Sequence, residues 1–178
     1  SLTPLGPPML LTITSSAAPA TDLGFLLHKH PDRVHEKELP FGTARVCYPE
    51  AATDRCTAAL ILDIDPVQLV RGRRGAPGGA AFSLSQYVND RPYALSSFMS
   101  VAINKLFGTA MTGRSKDRPE LADQAIPLSV HLPVLPCRGG ERVLRSLFEP
   151  LGYTVTAQAI PLDTTFPDWG DSRYLDAT

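Results

Sequence analysis

The chain is poor in cysteine, with only Cys47, Cys56 and Cys137 among 178 residues. They form no Cys-x-x-Cys pair and no Cys/His spacing of the kind that holds zinc. So sparse and odd a set excludes a disulfide framework and fits a reducing, cytoplasmic setting. Cys137, just ahead of Arg138-Gly139-Gly140, reads as a small residue at a strand end. Long apolar runs are also missing. None approaches the roughly 20 residues needed to cross a bilayer, so no membrane partner is expected. Leu10-Leu11-Thr12-Ile13 is too short for a signal peptide. An excess of charge is absent as well. The formal net charge is -1, so contact with nucleic acid would have to come from a local patch.

What the chain does have is 43% hydrophobic residues, enough for a real core, and 17 prolines. Prolines in that number imply many strand ends, turns and helix starts rather than a long bundle. Residues 1–8 read as leftover or upstream sequence. A first strand-helix-strand unit is expected over 9–70. It comprises a strand at 10–14 and a helix capped by Thr21 or Asp22 and stopped by Pro31. A hairpin of 34–39 and 43–48 turns at Pro40-Phe41-Gly42, and a central strand follows at 57–64. Residues 71–126 hold a linker, Arg71 to Gly79, and then the central helices. Residues 127–178 repeat the early order: a strand at 128–134, a helix at 141–151 capped by Gly152, and strands at 153–160 and 173–177. In that helix Val143, Leu144, Leu147, Phe148 and Leu151 share a face.

The central helix, from about Tyr93 to Thr112, carries Phe98, Val101, Ala102 and Leu106 on one stripe. Met99, Ile103 and Phe107 make the next. Such a helix is expected to be buried on both sides. The fold class is therefore α+β: mixed, mostly antiparallel sheets from two strand-helix-strand-strand units packed around a buried central helix. One compact domain is expected, cut short at its C-terminus. Two copies of Asp-Arg-Pro, at Asp90-Arg91-Pro92 and Asp117-Arg118-Pro119, bracket the helix. Asp117 fits a cap position, with Pro119 and Glu120 in the first turn of a short second helix.

No set of residues makes a convincing reaction centre. The run 72–79 lacks both the Lys-Ser/Thr of a phosphate loop and a Gly-x-Gly-x-x-Gly between strand and helix. His28 and His30 are two apart, so a helix would turn them to different faces, and Lys29 and Arg33 repel a cation. Asp63 and Asp65 share one side of a strand, but Asp65 before Pro66 reads as a turn. No catalytic, cofactor or metal residue is assigned. Phe166 and Trp169 read as aromatics covering an open core end; stacking on a base is the other reading.

Four segments carry a resemblance: LLTITSSAAPATDLGFLLHKHPDRV, LILDIDPVQLVRG, YVNDRPYALSSFMSVAINKLFGTAMTGRSKDRPELA and LFEPLGYTVTAQAIPLD. Together they resemble the N-terminal region of the bacterial 3′-terminal RNA ribose 2′-O-methyltransferase family. The resemblance implies that methyl transfer, with S-adenosylmethionine and a divalent metal, belongs to a C-terminal domain absent here. The N-terminal region is then non-catalytic. It binds a polynucleotide kinase-phosphatase-ligase in an RNA repair complex and activates ligase adenylation and RNA sealing. The partner-binding residues expected are the ends of the central helix: Asp90, Arg91, Tyr93, Arg114, Lys116, Asp117 and Arg118. Asp90 and Asp117 serve either as caps or at the interface. The alternative is an RNA-binding module that presents a cleaved 3′ end; on the first reading RNA is met only indirectly or weakly.

Overall fold

The computed structural model describes residues 9–65 and 91–178, with 91–96 described by their backbone alone. The expected linker at 71–79, residues 1–8 and Asp90 lie outside the described residues. In chain order the elements are β1 (Met9–Ser15), α1 (Leu23–Leu27), β2 (His35–Leu39), β3 (Gly42–Ala51), β4 (Cys56–Ile64), α2 (Arg91–Met111) and α3 (Pro119–Ala122). Then come β5 (Leu128–Pro136), α4 (Gly140–Phe148), β6 (Ala157–Pro161) and β7 (Asp171–Ala177). The chain divides into two units, one ending at Ser129 and one running from Val130 to Thr178. Each combines helices with an antiparallel sheet, so the class is α+β.

In the first unit the strand order is β2-β3-β4-β1. The apolar strand β4 lies inside, between β3 and β1. Directly opposed residues of antiparallel strands share a face. Leu60 faces Leu11 on one side and Val46 on the other, and Leu62 faces Ala44. All five are buried, and α1 and α2 pack near this sheet. The hairpin turns where expected, with Leu39 paired to Gly42. A Cβ on Gly42 would lie 2.0 Å from the Asp63 carbonyl oxygen, so only glycine fits this crossing.

Helix α1 is shorter than the sequence suggests. It ends at Leu27 rather than His30, because His28 takes the left-handed conformation at φ 54. The chain then doubles back. The Lys29 amide donates to the Gly24 carbonyl, and the Pro31 ring comes so close that a Cβ on Gly24 would meet it at 2.9 Å. Asp22 precedes the helix but makes no capping bond.

Helix α2 forms as expected, but it is not buried on both sides. Met99, Ala102, Leu106 and Phe107 are buried, and the helix packs on β2, β3 and β4. Phe98 stacks on Phe41 of the β2–β3 turn at 4.4 Å between centroids. Val101 is 37% exposed and Met111 67% exposed. Of the two apolar stripes, each gives only part of itself to the sheet. The outer positions, with Ser97, Ser100, Asn104 and Lys105, face away.

The second unit has the order β5-β7-β6. Its connectivity matches the first: the last strand pairs antiparallel with both the first strand and its own predecessor. β6 begins at Ala157, so the expected strand start at Tyr153 is not realised. Helix α4 forms and a 3₁₀ turn over Glu149–Leu151 extends it to Gly152, which is left-handed at φ 90. Its expected core face is largely uncovered. Only Leu144 is buried, packed with Val155, Leu175 and Ala177, while Leu147, Phe148 and Leu151 are exposed. Phe148 instead meets Tyr153 edge-on.

Candidate functional site

The segment after α2 is fastened to α1 by contacts that no local pattern announces. Gly113 breaks the helix at φ 68. The chain then crosses α1, where His28 Nε2 donates to the Arg114 carbonyl oxygen at 2.8 Å. Ser115 is buried, 5% exposed, and its Oγ donates to the Phe25 carbonyl oxygen at 3.4 Å. The same Oγ accepts the Arg118 amide at 3.3 Å. Arg118 completes the clasp. Its guanidinium lies 3.5 Å from the Asp22 carboxylate, 5.7 Å from the centroid of the Phe25 ring, and in a hydrogen bond with Glu120. The bond to Glu120, reinforced by the Glu120 and Asp22 charges, raises the Arg118 pKa. The same bond holds the Glu120 carboxyl below its ordinary value.

This arrangement sorts the expected interface residues. Arg114, Lys116 and Asp117 are exposed, and none has an ion pair or side-chain hydrogen bond among the described residues. Arg118 is partly exposed and already paired with Asp22 and Glu120. Asp117 is not the helix cap that its position suggests: Arg118 occupies that place, with Pro119 first in α3, and makes no side-chain cap bond. The role of an acceptor falls to Ser115 Oγ. Arg91 and Tyr93 lie in the first turn of α2, where the backbone alone is described. Helix α2 has 21 residues, and at about 1.5 Å per residue it is roughly 30 Å long. The two helix ends are therefore separate places on the surface.

The other candidates are absorbed by structural contacts. Arg45 bridges Glu36 at 2.6 Å and Asp63 at 2.5 Å, which ties up one of the two strand carboxylates. The Asp65 amide closes the strand on the Phe41 carbonyl oxygen at 2.9 Å. His30 Nδ1 accepts the Asp32 amide, and His35 Nε2 donates to the His30 carbonyl oxygen. Cys137 packs at the edge of the second core, its thiol toward the Gly140 carbonyl oxygen. Among the described residues no three His, Cys, Asp or Glu side chains gather as a metal site, and no helix is long and apolar enough to cross a membrane.

One aromatic pair lies elsewhere than its sequence pattern suggests. Phe166 and Trp169 do not cover a core end. They stack on each other, 5.0 Å apart and 18° from parallel, and remain 52% and 63% exposed. The residues that build the clasp, Asp22, Phe25, His28 and Ser115, carry no local signal of that role. Asp22 looked like a cap, and nothing local links it to an arginine 96 positions later.

The family model described as the RNA repair, ligase-Pnkp-associating, region of Hen1 matches residues 9–178, and the chain belongs to that family. Among curated proteins nothing matches this sequence.

Proposed function

We propose, on the premise of that membership, that this chain is a non-catalytic docking module. It binds the partner polynucleotide kinase-phosphatase-ligase through the ligase part and activates ligase adenylation and RNA sealing. Methyl transfer would lie in a separate domain of a bacterial, cytoplasmic parent protein, using S-adenosylmethionine and a divalent metal. The observation that carries the reading is the clasped segment at the end of α2. Arg114 and Lys116 project from a backbone already fixed by Ser115, His28 and Arg118. A partner that meets them pays little backbone ordering entropy, which is one way preformed surfaces gain affinity. Activation then follows if the module binds one arrangement of the ligase better than another, because a partner shifts an equilibrium only by its differential affinity.

The test is transfer of adenylate to the ligase, with and without the chain. The expected result is a faster or more complete adenylation that saturates as the chain is added. Replacing Arg114 and Lys116 with glutamate should weaken that stimulation while leaving the fold intact, since both side chains are exposed. An adenylation rate indifferent to the chain would refute activation. Salt-dependent binding of RNA by the isolated chain, with no affinity for the ligase, would favour the RNA-presenting alternative.

A further inference from the structure

The loop between β6 and β7 carries an aromatic platform that the fold does not use. Leu162, Phe166 and Trp169 are 60%, 52% and 63% exposed, and a 3₁₀ turn over Pro167–Trp169 follows Phe166 directly. The loop is rigidly built. Asp163 Oδ1 accepts the amides of Thr165 and Phe166, at 2.6 and 3.3 Å. The Trp169 amide donates to the Phe166 carbonyl oxygen, Gly170 to Pro167, and Leu162 to Gly170. Phe166 and Trp169 each use one ring face on the other, which leaves their outer faces to solvent. Exposed large apolar groups held in fixed geometry mark interaction sites rather than fold elements.

The charges around the platform select its occupant. Asp163, Asp168 and Asp171 flank the rings in sequence, and neither Asp168 nor Asp171 has an ion pair among the described residues. No Lys or Arg occurs between Glu149 and Arg173. A phosphate backbone laid along this loop would meet its carboxylates, which favours a cationic occupant over nucleic acid. An arginine meets both kinds of partner at once. Its guanidinium plane stacks on an indole face, and its paired N–H groups match a carboxylate. Tryptophan on a preformed loop is also the residue type that most often dominates an interface. We propose that this platform docks an arginine-presenting segment of the partner ligase. The inference rests on the docking function proposed above and places a second contact surface in the second unit.

Trp169 is the one tryptophan of the chain, so it reports on its own site. The full chain labelled with 5-fluorotryptophan should give a single fluorine resonance. Unlabelled ligase should shift or broaden it. Trp169→Ala should weaken the ligase affinity at least tenfold, with an unchanged far-ultraviolet circular dichroism spectrum. The double variant Asp168→Asn/Asp171→Asn should bind several-fold more weakly and depend less on salt. If the wild-type chain binds the ligase but the resonance stays still and Trp169→Ala binds equally, the platform assignment is overturned and the docking function survives. If the wild-type chain does not bind at all, the docking function falls and the platform with it. A resonance moved by single-stranded RNA instead of the ligase would overturn the chosen occupant.

Discussion

Replacing Leu106 and Val101 by alanine, one at a time, asks whether α2 has one buried face or two. Both lie on the stripe that the sequence marks as apolar. Leu106 is buried, whereas Val101 is more than a third exposed. A buried leucine cut to alanine loses transfer free energy and leaves a cavity, for a cost of about 2–5 kcal/mol. Val101→Ala gives up contacts that are only partly made, at roughly 0.5 kcal/mol. Alanine returns a similar amount through its better helix propensity. The expected costs are thus about 3 kcal/mol for Leu106→Ala and close to zero for Val101→Ala. Urea unfolding followed by far-ultraviolet circular dichroism measures both, and the slope with denaturant should stay constant. In a chain of this size, 3 kcal/mol lowers Tm by roughly 6–12 °C. Equal costs at the two positions would refute the one-sided packing and restore a helix buried all round.

Three further outcomes follow from named contacts. Ser115→Ala removes the acceptor of the Arg118 amide and one bond to Phe25, so it should cost about 1–2 kcal/mol; faster amide hydrogen exchange across 114–118 checks it, and unchanged protection contradicts the clasp. Gly42→Ala drives a Cβ into the Asp63 carbonyl oxygen and should destabilise by more than about 1 kcal/mol in the same urea experiment, with wild-type stability as the contrary result. Burial pushes the Cys56 thiol pKa up, with the nearby Glu50 charge adding to it. A raised pKa means less thiolate near neutral pH, so Cys56 should be alkylated last of the three cysteines under native conditions, as read by mass spectrometry; early labelling of Cys56 would contradict its burial.

The elements that depend on near neighbours were legible in the sequence. The β2–β3 turn at Pro40-Phe41-Gly42, the apolar strand β4 and the left-handed Gly152 after α4 all carry local chemistry, and each forms. What depends on distant partners was not legible. Two stripes on α2 state that the helix can be buried on both sides, but only the width and curvature of the sheet decide which residues it covers. The same holds for α4, whose apolar face is buried only at Leu144. Asp117 satisfied a cap pattern, yet the acceptor came from Ser115 because the chain bends onto α1. The Arg118–Asp22 contact joins segments far apart in sequence, and periodicity has no reach over that distance. Trp169 looked like core cover because large aromatics usually are; its exposure is set by a turn that points both rings outward.

The association itself is the most direct thing to measure. Sedimentation velocity of the chain mixed with the polynucleotide kinase-phosphatase-ligase should show a complex heavier than either component. The Arg114→Glu/Lys116→Glu variant should dissociate at concentrations where the wild-type complex persists. Two species that sediment independently at micromolar concentration would contradict a docking module, and a complex indifferent to both substitutions would contradict the placement of its contact at the end of α2.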